Sequence, residues 1–149
     1  MKRIFLSLPM KNRSDEAIKN TIEGMKRIIT AYYPNEDLEF VDNFDAGYDI
    51  SQKMIDDSEH PSCLYLSRAI FKMANCTHIA VIRSNVMYQT GDDYHGCYIE
   101  DEIARMYYGN LPININDETG EILLPDLVEK AKEKAKEFET CCGEKECKY

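Results

Sequence analysis

The sequence lacks any long apolar run. Its 149 residues contain no stretch of about 18 consecutive apolar side chains, the length that a membrane span needs. The apolar run near the beginning covers only residues 4–6, which is too short for the core of a signal peptide. We therefore expect no contact with a membrane and a cytoplasmic location.

Positive charge is scarce as well. The chain has 18 Lys and Arg against 27 Asp and Glu, which gives a formal net charge of −9. Proteins bind the backbone of nucleic acids mainly through basic side chains that displace counterions, so a nucleic-acid partner is not expected. A small neutral or weakly charged ligand fits this balance better, and a local basic patch remains compatible with one phosphate group.

The six cysteines lack the spacing of a common zinc site. No Cys-x-x-Cys pair occurs, and three of the six fall in the polar segment 141–149. Free thiols are the default in a reducing cytoplasm. We therefore predict neither a metal nor another cofactor, and Cys63, Cys76 and Cys97 are interpreted as small buried side chains.

What the sequence does contain is an alternation of strand-like and helix-like segments. Short apolar runs predict strands at residues 2–8, 38–41, 78–82, 112–115 and 122–124. Apolar residues at helical spacing predict four helices between and after them, with stripes at Ile18, Ile22, Met25 and Ile29, at Leu66, Ala69, Ile70 and Met73, at Ile99, Ile103 and Met106, and at Leu127, Val128, Ala131, Ala135 and Phe138.

Single residues mark the ends of these helices. Ser14, followed by two acids, is typical of a helix start, and Pro34 is expected to stop the same helix. Gly109 is predicted to close the third helix in a left-handed conformation. Pro125 suits the first turn of the last helix.

The alternation predicts the α/β fold class. We expect a three-layer, flavodoxin-like or Rossmann-like domain with a mostly parallel sheet of about four or five strands and helices on both faces. No linker is evident, so residues 1–140 are predicted to form one domain, followed by a polar, Cys-containing tail at 141–149. Ligands bind such sheets beyond the carboxyl ends of the strands, where the loops 7–14, 43–49 and 83–96 are expected to meet.

Glu100 is the candidate catalytic residue. It is predicted in the first turn of the third helix, where the helix dipole favours an ionised carboxylate, and Gly96 before it allows a close backbone approach. A fixed carboxylate can attack a sugar carbon or stabilise an oxocarbenium-like centre. Asp92 and Asp93 supply further carboxylates for sugar hydroxyls. The alternative is that Glu100 only compensates the dipole.

Three segments carry a resemblance to a known family. They are Leu-Ser-Leu-Pro-Met at residues 6–10, the helix and strand at residues 64–82, and Gly-Cys-Tyr-Ile-Glu-Asp-Glu-Ile-Ala at residues 96–104, which Tyr-Gly-Asn-Leu-Pro-Ile follows at residues 108–113. Together they resemble the nucleoside 2-deoxyribosyltransferase-like superfamily, in particular its short bacterial and phage members. The resemblance extends from the first predicted strand to Ile115.

The resemblance implies cleavage or transfer at the N-glycosidic bond of a nucleoside or nucleoside monophosphate. The family's nucleophile is the Glu four residues before the Ala, which corresponds to Glu100 and not to Glu102. Glu100 would attack C1′ and expel the base, and water or a second base would then take the sugar with retention. Ser7, Pro9 and Met10 would line the pocket, and a homo-oligomer is implied.

The chain departs from the family pattern at one acid, an Asp that usually precedes the third strand. Residues 74–78 hold no carboxylate, so Asn75 and His78 are the candidates to replace it, although a histidine on an apolar strand is also typical of packing. The competing hypothesis is therefore a non-catalytic nucleotide-binding module of the same fold.

Overall fold

A computed structural model describes residues 1–44, 50–83, 95–116 and 122–123 of the chain. The elements in chain order are β1 (Lys2–Ser7), α1 (Asp15–Tyr32), β2 (Leu38–Asp42), α2 (Gln52–Asp56), α3 (Pro61–Met73), β3 (His78–Arg83), α4 (His95–Tyr107), β4 (Ile113–Asn116) and β5 (Ile122–Leu123). The predicted alternation is confirmed, and α2 is an addition that the apolar pattern did not predict. The helix predicted after Pro125 and the tail at 141–149 lie outside the described residues.

The strands form one sheet in the order β2-β1-β3-β4-β5. The first four are parallel, and β5 runs antiparallel to β4. The chain moves from β1 to β2 on one side and then crosses to β3 and β4 on the other, so the strand order reverses between β1 and β3. This arrangement confirms the predicted α/β fold class with a mostly parallel sheet.

Helices cover both faces of this sheet. Tyr33, which caps the end of α1, packs its ring against His78, with ring centroids 6.4 Å apart. His78 pairs with Ile4 of β1 and shares its face. Ser7 lies three residues beyond Ile4 and therefore faces the other way, where it meets Glu100 of α4. The sheet is thus the middle layer of three.

Helix α1 forms as the sequence predicts. The Ser14 side chain accepts a hydrogen bond from the Ala17 backbone N–H at 3.1 Å, which satisfies one of the free donors at the helix start. The helix ends at Tyr32, before Pro34. Its buried residues are Ile18, Ile22, Met25 and Ile29, the predicted stripe.

The centre of the core lies on β1 and β3. Residues 4–6 of β1 and 79–81 of β3 are almost fully buried, because helices pack on both faces of these two strands. The continuous apolar runs in the sequence are explained by this double burial. No helix in the described part of the chain is long and apolar enough to cross a membrane.

Several predictions about individual side chains are wrong. Ile70 is 37% exposed, since the buried side of α3 is centred on Arg68, Ala69 and Met73 and leaves Ile70 at its margin. Cys63 is exposed in the first turn of α3, whereas Cys97 is buried as expected.

The predicted left-handed cap at Gly109 is also wrong, because its φ lies outside the left-handed region. Tyr108 closes α4 instead. Its backbone N–H donates to Ala104 O at 2.8 Å, and its hydroxyl donates to Met73 O at 2.7 Å. The end of α4 is thus tied to α3 by a side chain, and the turn needs no positive φ.

Candidate active site

The structure brings Glu100 of α4 onto Ser7, the last residue of β1. The Ser7 hydroxyl donates a hydrogen bond of 3.0 Å to Glu100 Oε2. Both side chains are buried, with Ser7 1% and Glu100 7% exposed. They meet at the carboxyl ends of the strands, beside the point where the strand order reverses, which is where ligands bind in sheets of this kind.

Glu100 does not lie in the first turn of its helix. Helix α4 begins at His95, so Glu100 is in the second turn, where the effect of the helix dipole has largely decayed. Burial raises the pKa of Glu100 to about 7, and the hydrogen bond from Ser7 opposes this by lowering it. The predicted dipole-stabilised carboxylate is therefore wrong, because desolvation outweighs the favourable contacts.

Gly96 borders open space near the start of α4. It lies in the first turn of α4 and is exposed. A Cβ atom at this position would meet no atom within 4 Å, so the space beside Gly96 is open, and its role in ligand binding stays a prediction.

The buried face of α4 carries two acids beside two core residues, where the sequence predicted an apolar stripe. Two residues of the predicted stripe face outward, with Ile99 at the exposed margin and Met106 72% exposed, whereas Ile103 is half-buried against the core. The buried residues are Cys97, Glu100, Asp101 and Ala104. The two acids turn inward because the sheet beneath them presents Ser7 and Arg83.

Asp101 is the residue that the sequence analysis missed. It is 0% exposed, and its Oδ2 accepts hydrogen bonds from Arg83 Nη2 at 2.9 Å and from Arg105 Nε at 2.8 Å. A buried carboxylate needs such partners to remain charged. The Asp101–Arg105 spacing of four residues is a helical ion-pair pattern and could have flagged Asp101. The contact with Arg83 depends on the fold and could not be predicted.

Of the other predicted site residues, Pro9 and Met10 follow Ser7 after one intervening leucine, just beyond the end of β1. Pro9 is buried, and Met10 is half-buried against the core. The backbone turns there, with Arg13 N–H donating to Met10 O at 3.2 Å and Asn12 at a φ of 62°, which asparagine tolerates. Asp92 and Asp93 lie outside the described residues.

Neither candidate for the missing acid lies near Glu100. His78 begins β3, about 10 Å along the strand from Val81, the partner of Ser7, and faces α1. Burial, together with Lys2, lowers the pKa of His78. Asn75 lies at the same far edge, where its carbonyl accepts a bond of 3.3 Å from Arg3 Nη1. Both residues belong to the packing of the opposite edge.

A shallow groove of about 280 Å³ lies beside the edge strand β2. It is lined by Arg3, Glu39, Val41, Phe71, Lys72 and Asn75. Its charges are already engaged, since Arg3 Nε pairs with Glu39 Oε2 at 3.1 Å and Lys72 Nζ donates to Asp42 O at 2.6 Å. The groove therefore offers no buried reactive group comparable with Glu100.

Comparison with known proteins adds no assignment: no protein-family model and no curated protein matches the chain. Within the described ranges, no group of three or more His, Cys, Asp or Glu side chains is placed to hold a metal ion. The chemistry of the site therefore has to be argued from Glu100 and its neighbours.

Proposed function

We propose that the protein cleaves or transfers the N-glycosidic bond of a (deoxy)nucleoside or nucleoside monophosphate, with Glu100 as the nucleophile. The observation that carries this proposal is the buried Glu100 carboxyl, held by Ser7 at the carboxyl edge of the sheet. The resemblance of residues 96–104 to the nucleoside 2-deoxyribosyltransferase-like superfamily supports the same assignment.

In the proposed reaction, ionised Glu100 attacks C1′ of the sugar while the bond from C1′ to the base nitrogen breaks. The bonding electrons leave with the base, which takes up a proton from solvent. The resulting glycosyl ester is then opened by water, which yields the free sugar, or by a second base, which yields a new nucleoside. Two displacements at C1′ retain its configuration.

Burial suits Glu100 to this task. A carboxylate with little water around it interacts more strongly with the positive charge that develops on the sugar than an exposed one does. Burial also raises the pKa of Glu100 to about 7, so the carboxyl is only partly ionised near neutral pH. The Ser7 hydroxyl donates to the carboxylate and fixes its direction.

The proposal also includes self-assembly and a cytoplasmic location. The resemblance implies a homo-oligomer, and the outward face of α4 supports it, because Met106 and Tyr107 are highly exposed there. Apolar surface of this kind is typical of contacts between proteins.

The second candidate is a nucleotide-binding module of the same fold without turnover. One observation favours it: Asn75 and His78 are remote from Glu100, and the adjacent acid, Asp101, is held between two arginines. Asn75, His78 and Asp101 are therefore not placed to protonate the leaving base.

Activity measurements separate these two functions. The protein is incubated with nucleosides and 5′-monophosphates, with and without acceptor bases, and free base is followed by chromatography. We expect Glu100→Gln to lower turnover at least about 100-fold, because the amide cannot form the ester. Glu102→Gln, which removes the same charge from the same helix, should keep turnover.

Calorimetric binding without turnover on any substrate would favour the binding module. Undiminished turnover in Glu100→Gln would rule out the assigned nucleophile.

A further inference from the structure

Two adjacent acids of α4 are held by two different strands of the sheet. Glu100 accepts its hydrogen bond from Ser7 of β1, and Asp101 accepts one from Arg83 of β3. Both strand residues lie on the same face of the sheet, since Ser7 pairs with Val81 and Arg83 follows two residues later. The helix is therefore attached to the sheet on two sides of its axis.

This double attachment restricts the rotation of α4. Successive residues of an α-helix are separated by about 100° around the axis. A rotation that carried Glu100 away from Ser7 would also move Asp101 relative to Arg83. Arg83 is the last residue of β3 and pairs with Asn116 of β4, so its backbone belongs to the sheet and not to the helix.

We propose that the Arg83–Asp101 ion pair is a positioning contact, which sets the rotation of α4 and so holds the Glu100 carboxyl against Ser7. Arg83 acts through Asp101 and the helix in this scheme. The catalytic consequence rests on the function proposed above, whereas the positioning itself can be measured without a substrate.

The chain offers a matched control in Arg105. Arg83 Nη2 and Arg105 Nε donate to the same oxygen of Asp101, at 2.9 and 2.8 Å, and their side chains are similarly exposed, at 23% and 26%. Arg105, however, lies on α4 itself, four residues after Asp101, and moves with the helix. Replacing either arginine by glutamine removes one positive charge beside Asp101, but only Arg83→Gln cuts the link between helix and sheet.

The test measures how far the Ser7 hydroxyl lowers the titration midpoint of Glu100, first in the native protein and then in two arginine variants. The side-chain carboxyls of glutamate are labelled with ¹³C, the Glu100 signal is assigned from its loss in Glu100→Gln, and its titration is followed by NMR. We expect Ser7→Ala to raise the midpoint by about one pH unit in the otherwise native protein, because a hydrogen bond to the ionised form is lost. The same shift of the Glu100 midpoint by Ser7→Ala is then measured in proteins that also carry Arg83→Gln or Arg105→Gln.

If the ion pair positions Glu100, the effect of Ser7→Ala should shrink to less than half in the Arg83→Gln background and persist with Arg105→Gln. The lost arginine charge is the same with and without Ser7→Ala, so its effect on the Glu100 midpoint cancels when these two proteins are compared. An undiminished effect in Arg83→Gln would overturn the proposal, and so would an equal reduction in both backgrounds. If Arg83→Gln does not fold, Arg83→Lys and Arg105→Lys are compared in the same way.

Kinetics give a separate readout. We expect Arg83→Gln to lower kcat about 10-fold with KM changed less than about threefold, since misplacing the nucleophile affects the reaction more than binding. If the native protein turns over no substrate, the proposed function fails, but the titration still decides whether Arg83 positions Glu100.

Discussion

Glu100 is subject to two opposing influences, and their balance determines how the protein depends on pH. Burial disfavours the ionised carboxyl, and the Ser7 hydroxyl favours it. The result is a pKa of about 7, well above that of an exposed glutamate. Activity and stability should therefore respond in opposite directions as pH rises.

Activity should rise with pH. A nucleophile must be ionised, so we expect kcat/KM to increase through a midpoint near 7, the pKa of Glu100 in the free protein. Ser7→Ala should move this midpoint to higher pH, because the contact that lowers the pKa is lost. The measurement is a pH–rate profile on the best substrate. A profile that falls through the same range would instead assign Glu100 as a general acid.

Stability should fall over much the same range. The unfolded chain loses the Glu100 proton near the ordinary glutamate pKa, whereas the folded protein keeps it up to about 7. The folded state therefore binds more protons between these values, and its stability decreases as pH rises until the folded carboxyl has ionised.

We expect Glu100→Gln, which cannot ionise, to be more stable than the native protein by about 3 kcal/mol above pH 8, with the gain vanishing near pH 4. Urea unfolding at several pH values measures this difference. A gain of the same size in Glu102→Gln would contradict the explanation, since Glu102 does not contact Ser7 in the structure.

The sequence was enough to select Glu100 as the candidate catalytic residue, but it did not predict the raised pKa of its carboxyl. The segment of residues 96–104 pointed to this glutamate, and the first loop pointed to Ser7. Their hydrogen bond joins residues 93 apart in the chain, and the raised pKa follows from burial between α4 and the sheet. Such long-range packing leaves no local sequence pattern.

At the scale of the element, α4 shows why an apolar stripe can mislead. Periodicity locates a helix, but it assigns the inward face only if the neighbouring surface is apolar. Here Ser7 and Arg83 make part of that surface polar, so the two acids turn inward, while Ile99 and Met106 are exposed and Ile103 is only half-buried. In α1, by contrast, the predicted stripe from Ile18 to Ile29 is the buried one.

Two substitutions on α4 test which face is inward. Ala104 is fully buried, so Ala104→Leu should destabilise the protein by about 2 kcal/mol through overpacking. Met106 belongs to the predicted stripe but is exposed in the single chain, so Met106→Ala should change the unfolding free energy of the isolated subunit by less than about 0.5 kcal/mol. Thermal and urea unfolding compare the two. A large loss in Met106→Ala with none in Ala104→Leu would mean that the stripe faces the core.

At the scale of the whole molecule, most of the architecture follows from the order of strands and helices. Helical crossovers favour parallel strands and right-handed connections, which leaves few arrangements of β1 to β4. The antiparallel direction of β5 can be predicted as well. Only residues 117–121 separate β5 from β4, and a parallel crossover needs about a dozen residues. Helix α2 is a single short helix with no buried residue, so no apolar pattern marked it.

The place of β1 between β2 and β3 also affects how the chain folds while it is being synthesised. Arg3 of β1 and Thr77, just before β3, are joined by a hydrogen bond although they lie 74 residues apart. At the usual rates of translation this distance corresponds to a delay of roughly 4–15 s. During that time β2 can pair with one side of β1, but the other side stays open, and an open apolar strand edge invites pairing with other chains. Partial chains that stall before β3 should therefore aggregate far more readily than the finished protein.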